Sequence, residues 1–421
     1  MKKLVPYAAL VCVLSACSDV PSSTAPLTPA PIVPLSAARS EQGVPVPGQY
    51  IVRFRDNEPN ALSRAQAIER SHGAVIERIY TSAIKGAAMQ LADAAAIALR
   101  SDANVLSVEQ DQTVSISTTQ TNPPSWGLDR IDQHALPLSA SYTYAGNGAG
   151  VTVYIIDTGI NYGHTEFGGR AVPGIDEVTL GGGAVDCAGH GTHVSGTIGG
   201  TSYGVAKGVS LVGVRVLDCS GSGTVSGVIA GVDWVTAHKT LPAAANMSLG
   251  GSFSATLNQA VANSIAAGVV YGVAAGNSSG NACLESPSST STAIVVGATD
   301  ITDHFASFSN FGTCVHINAP GVNIKSSWIG STTATNTISG TSMATPHVVG
   351  AAALYLQANP SATPSQVKSA LTSNATSGVI IGVPASTPNL LLYTGFIGAG
   401  TNVAPVARYT ITCPTLQCTA D

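Results

Sequence analysis

Four polar residues in this chain stand where apolar runs give way to glycine and small side chains, which is where chemistry is usually placed. Ser342 lies in Gly340-Thr341-Ser342-Met343-Ala344-Thr345-Pro346-His347, ahead of Val348 to Gln357, an Ala-rich apolar run with the composition of a buried helix. A serine at a helix N-terminus faces unpaired backbone N–H groups and the positive end of the helix dipole, which favour a developing negative charge. Pro346 removes one hydrogen bond from that helix just past its first turn. His190 opens His190-Gly191-Thr192-His193-Val194, again at the entrance of a Gly/Ala-rich apolar stretch. Asp157 directly follows the apolar run Val151 to Ile156, and Asn277 ends Ala274-Ala275-Gly276-Asn277 beyond Val269 to Val273. Each signal is weak alone, but together they set a hydroxyl, an imidazole, a carboxylate and an amide at the ends of apolar runs.

The elements that must carry them alternate. Near-continuous apolar runs at Val151 to Ile156, Val209 to Val216, Ala245 to Leu249, Val269 to Ala274 and Ala293 to Val296 read as strands buried on both faces of a parallel sheet. Between them His193 to Gly199, Val225 to His238, Ser254 to Ala267 and Pro364 to Thr372 read as helices. The pattern predicts an α/β domain with helices on both faces over 126–395, with ligands bound beyond the C-terminal strand ends. Ahead of it, strands at Tyr50 to Phe54, Ala74 to Tyr80, Ala87 to Leu91 and Val105 to Glu109 alternate with helices at Asn60 to Ser71 and Ala94 to Arg100. That is the β-α-β-β-α-β order of a small α+β, ferredoxin-like domain over 49–116.

Charged residues are only 10% of the 421, against about a quarter in ordinary soluble domains, and the net charge of -5 gives no electrostatic case for nucleic acid as a partner. Lys2, Lys3 and the short apolar run Leu4 to Leu14 read as a secretory signal over 1–17, and Leu14-Ser15-Ala16-Cys17 resembles a bacterial lipoprotein cleavage box. Residues 18–48 are a Pro/Ser/Thr/Ala linker, 117–125 a polar linker, and 396–421 a linker with an incomplete β-sandwich-like segment carrying Cys413 and Cys418. Export makes the six cysteines outside the leader candidates for disulfides, although their spacing alone leaves the pairing open. The chain has no HExxH, no Cys/His zinc spacing and no G-x-S-x-G, so metalloprotease and α/β-hydrolase chemistries have no footing.

The order Asp157, His190, Ser342 and the motifs around them resemble the subtilase family of serine proteases, on the proteinase K and aqualysin-type branch. The resemblance spans nearly all of 126–395, including Trp126-Gly127-Leu128-Asp129-Arg130-Ile131-Asp132-Gln133 and Asn246-Met247-Ser248-Leu249-Gly250-Gly251. It implies a secreted serine endopeptidase acting on proteins and peptides, monomeric, without an organic cofactor, in which Ser342 is the nucleophile, His190 the base, Asp157 its orienting carboxylate and Asn277 the oxyanion donor. Ser220-Gly221-Ser222-Gly223 and Ser248-Leu249-Gly250-Gly251 match the segments that flank substrate. Their glycines suggest broad specificity, favouring large apolar or aromatic side chains at P1, the residue on the acyl side of the scissile bond. The resemblance pairs Cys187 with Cys219 and Cys283 with Cys314. It places calcium at Asp129, Asp132, Gln133, Ser139 and Ser141, and puts a second calcium site in doubt because His316 stands where the family has Asp. Residues 49–116 resemble the inhibitory pro-domains of subtilases, so the chain is expected to be a zymogen that cuts itself between about Ile116 and Ser125. Were Cys17 lipidated, that cut would release the protease from its anchor.

Overall fold

The computed structural model describes residues 45–112 and 118–398. The leader, the Cys17 box, most of the 18–48 linker and the Cys413/Cys418 segment lie outside the described residues, as does part of the expected cleavage region.

The N-terminal domain has the expected β-α-β-β-α-β order, with strands at Pro45–Phe54, Val75–Tyr80, Gly86–Gln90 and Val105–Gln112 and helices at Ala61–His72 and Asp93–Leu99. Asn60 caps the first helix by accepting from the Ser63 N–H, and Gly73 closes it in the left-handed conformation. The antiparallel sheet buries Val52, Phe54, Ala87 and Met89 against Ala65 and Ile68 of the first helix. Its first strand begins at Pro45, inside the stretch expected as linker, because Pro45 pairs with Gln112 beyond a register shift.

The larger domain is built on a nine-stranded sheet, parallel except for one short antiparallel edge pair, Thr376–Ser377 with Leu390–Leu391. At its centre Thr152–Asp157 lies between Ala243–Met247 and Ser210–Arg215. The apolar runs are continuous because both faces are covered. Along the central strand Val153 and Ile155 enter one core, while Tyr154 and Ile156 enter the other. Helices Val225–His238 and Ala255–Ala266 cover the second face with Val228, Val232, Leu257 and Val261. Helices His190–Gly199 and Thr341–Ala358 pack together on the first, burying Val194, Ile198, Val348 and Val349. Gly272 allows the second of these to seat directly on the sheet, since a Cβ there would lie 2.4 Å from Val349 Cγ2.

Several elements escaped the sequence, three strands among them. Strands Ala171–Asp176 and Ile317–Pro320 are short and interrupted by Pro or Gly, and Thr118–Thr121 is a polar strand within the expected 117–125 linker, paired to Ser141–Tyr144. The packed chain also runs past 395, with Ile397 buried in the core.

Candidate active site

Asp157 ends the central strand and is fully buried, and its Oδ1 lies 2.7 Å from Nδ1 of His190, whose side chain is 28% exposed. Oδ1 also accepts from the Thr158 N–H at 2.8 Å, while Oδ2 has no hydrogen-bond partner. Burial alone would lower the imidazole's pKa. The Asp157 carboxylate, with Asp186 behind it, outweighs that and holds it above 6.5.

Asp186 is a functional residue that the sequence reading passed over. Its Oδ1 accepts from Thr158 Oγ1 and from the N–H groups of Ala188 and Gly189, and its Oδ2 from the N–H and Oγ1 of Thr192. Thr158 Oγ1 in turn accepts from the Gly191 N–H at 2.9 Å. A buried carboxylate thus fixes the first turn of the helix that begins at His190 and ties it to the Asp157 strand. Gly191 is required for the approach, since a Cβ there would meet the Gly159 carbonyl at 2.1 Å. An Asp shortly before an apolar helix was the available signal, as a capping residue.

Ser342 sits in the first turn of Thr341–Ala358, whose N-cap, Gly340, offers no side chain. Thr341 N–H and Oγ1 both donate to Asn277 Oδ1, at 2.8 and 2.9 Å, so the amide oxygen is held and Nδ2 is left to donate elsewhere. The Ser342 N–H has no hydrogen-bond partner among the described residues. Asn310, also unforeseen, steadies the Asn277 loop. Its Oδ1 accepts from the Ser278 and Gly280 N–H groups, and its Nδ2 donates to the Ala275 carbonyl.

Pro346 has a consequence beyond the lost hydrogen bond. The carbonyl it leaves without a helical donor is that of Ser342, and Ser248 Oγ donates to it at 2.8 Å, itself receiving Asn246 Nδ2 at 2.9 Å. Ser342 Oγ meanwhile donates to the Ser248 carbonyl at 3.0 Å. The helix of Ser342 is therefore stitched to the segment Ser248–Gly251. That segment and Ser220–Gly223 line an open groove of ≈ 640 Å³ that also reaches His190. Asp218 shapes the second wall, its Oδ1 accepting from the N–H groups of Ser220 and Ser222 and from Ser220 Oγ.

The subtilase family model matches residues 148–393, and the peptidase inhibitor I9 model matches 49–117. The chain belongs to the subtilase family. It is 52% identical over 404 residues to the extracellular serine proteinase of Thermus sp. (strain Rt41A), covering 91% of this chain and 97% of that one. It is 46% identical over 377 residues to alkaline serine exoprotease A of Vibrio alginolyticus, covering 86% and 70%. A crystal structure of a cold adapted subtilisin-like serine proteinase, 54% identical, superposes with a TM-score of 0.63, covering 64% of this chain and 97% of that one. The protein is thus a subtilisin-like serine endopeptidase that acts on protein substrates and carries its own I9-type inhibitor pro-domain.

Both implied disulfides are formed in this subtilase, Cys187–Cys219 beside the His190 loop and Cys283–Cys314 beyond Asn277. The five residues assigned to calcium gather at one place, but mostly as a hydrogen-bonded turn. Asp129 accepts from the N–H and Oγ of Ser139 and the N–H of Ala140, Gln133 Oε1 from the Ser139 N–H, and Ser139 Oγ meets Ser141 Oγ at 2.8 Å. Asp132 accepts from the Thr143 N–H on one oxygen, and its other oxygen is buried without a partner. Burial, with Asp129 nearby, pushes Asp132 up to about 7. Among the described residues no cluster of three or more His, Cys, Asp or Glu stands ready for a metal.

At the second position His316 faces Lys368, whose Nζ donates to the Ser291 and Ala293 carbonyls at 2.7 and 3.0 Å and lies 2.8 Å from His316 Nε2. His316 Nδ1 accepts from the Val295 N–H, so the ring proton belongs on Nε2 and points at Nζ. That arrangement favours the neutral amine, and burial lowers Lys368 to about 8. His193 and His347 are core histidines, each with one ring nitrogen on a backbone carbonyl, and burial lowers them to about 3 and about 4.

Proposed function

We propose that Ser342, His190, Asp157 and Asn277 carry out peptide hydrolysis through an acyl-enzyme, and that the contact of His190 with a buried Asp157 is the observation supporting it most. Ser342 Oγ turns from the Ser248 carbonyl toward His190 Nε2, which takes its proton as Oγ attacks the substrate carbonyl. Asp157 keeps the ring proton on Nδ1 and favours the imidazolium that forms. The charge developing on the carbonyl oxygen is met by Asn277 Nδ2 and the Ser342 N–H, both preset by Thr341 and the helix terminus. His190 then returns the proton to the leaving amine, and the same steps with water release the acid.

Substrate lies extended between Ser220–Gly223 and Ser248–Gly251, adding its backbone as a strand, with large apolar or aromatic side chains accepted at P1. The protein is exported, as its leader and relatives named extracellular support, and it frees itself from 49–116 by cutting between about Ile116 and Ser125. Calcium is held by Asp129, Asp132, Gln133, Ser139 and Ser141, where the unpartnered Asp132 oxygen suits a hard cation and the ion would cross-link the turn. Chelation should then lower the melting temperature of the wild type but not of Asp132→Asn, and equal responses would rule the site out.

The experiment that tests the catalytic assignment is intact mass after incubation, wild type beside Ser342→Ala. Loss of the N-terminal ~120 residues from the wild type alone supports both self-processing and the nucleophile. Processing of the variant by itself would overturn the assignment of Ser342.

A further inference from the structure

We infer that Glu285 is a specificity-determining residue that equips the P1 cleft for lysine and arginine side chains. The inference rests on the proposed roles of Ser342 and Asn277, and it places P1 between Ser248–Gly251 and Ala274–Gly276. A substrate carbonyl oxygen set between Asn277 Nδ2 and the Ser342 N–H points the side chain of its own residue into the space between those two segments. Each presents a glycine there, and Glu285 Oε2 lies near both, beside Asn310 Nδ2 at Gly276 and the Ser286 carbonyl at Gly250. A Cβ on Gly276 would lie 2.5 Å from Glu285 Oε2, and a Cβ on Gly250 would lie 3.9 Å from it. The short pairing of Gly251–Ser252 with Glu285–Ser286 brings the carboxylate to this position. The open groove borders Gly250, Gly251 and Ser286, the neighbour of Glu285.

The carboxylate is held in place but not neutralised. Ser278 Oγ donates to Oε1 at 2.8 Å, and Ser278 is itself fixed through its N–H on the buried Asn310. Oε2 has no hydrogen-bond partner, and Glu285 joins no ion pair, among the described residues. An unpaired carboxylate at the end of a glycine-walled cleft suits a long side chain with an apolar stem and a cationic tip. The stem lies along Gly250 and Gly276 as an aromatic ring would, and the tip reaches Oε2. Large apolar side chains remain acceptable, since half-buried Glu285 can keep its charge in water when no cation arrives.

The test is kcat/KM on peptide anilides of one leader sequence with Phe, Lys, Glu or Ala at P1. The wild type should hydrolyse Lys within about tenfold of Phe and discriminate against Glu. Glu285→Gln should lower the Lys-to-Phe ratio by about tenfold, the scale of one partly desolvated ion pair. An unchanged ratio overturns the inference. Should that variant not fold, the wild type decides, because raising salt to about 1 M should depress Lys against Phe, and a salt-independent ratio overturns the inference equally. Gly250→Val tests the underlying placement separately by filling the cleft, which should reduce Phe and Lys against Ala. If Gly250→Val shifts that balance while Glu285→Gln leaves Lys unaffected, the cleft stands and the role of Glu285 falls. If Gly250→Val changes nothing, the placement itself fails.

Discussion

Two helix N-termini meet at this site, and they are finished in opposite ways. The helix opening at His190 is capped by a carboxylate, with Asp186 and Thr158 taking the N–H groups of Gly191 and Thr192 and of Ala188 and Gly189. The helix carrying Ser342 is left open, with glycine at its cap and an unpartnered Ser342 N–H. In the proposed mechanism one terminus holds a base that becomes cationic, so a resident carboxylate nearby assists it. The other must receive an anion that exists only in the transition state, and a resident carboxylate would compete for those donors. The same local device, a glycine-led helix start, is thus completed internally where it positions a side chain and left incomplete where it binds a charge.

Substitutions on the two sides should fail in different ways. The largest effect belongs to the open terminus. Asn277→Ala should lower kcat by about 10²–10³ with little change in KM, since the donor acts on charge present only in the transition state. Thr341→Val, which releases Asn277 Oδ1, should move kcat in the same direction by about tenfold. Neither should move the acid limb of the pH profile, and a shift there would mean that the two sides are not separable.

The carboxylate-capped terminus should fail through stability and titration instead. Asp186→Ala strands several buried donors and should cost about 2–4 kcal/mol, read from denaturant unfolding of inactivated protein. In the wild type, kcat/KM should fall as pH drops through a value above 6.5, because Asp157 and Asp186 hold the imidazolium against burial. Removing the Asp186 charge lowers that pKa, so the acid limb should move to lower pH. Movement upward would contradict the electrostatic role.

The smallest effect lies away from both. Lys368, lowered to about 8 from 10.5, binds fewer protons folded than unfolded between those values. Stability should therefore rise with pH across that window, and Lys368→Met should flatten the rise. A slope identical in the two proteins would show that the amine is charged in the fold.

The alternating runs of Val, Ile and Ala announced a parallel sheet because strands covered on both faces need no polar residues, and Val153 to Ile156 serve two cores in alternation. Asp157, His190, Asn277 and Ser342 were legible because each ends or begins such a run. Asp186, Thr158, Thr341, Asn310 and Glu285 were not, because an Asp, Thr, Asn or Glu in a polar loop satisfies local turns in any protein. What distinguishes them is a partner far along the chain, as Thr341 has in Asn277 and Glu285 in Gly250. Composition and periodicity determined the kind of fold and the chemistry available to it. Only the tertiary structure decided which helix terminus was capped and which was left open, and what lay behind the glycines, because those properties belong to pairs of residues that local sequence does not bring together.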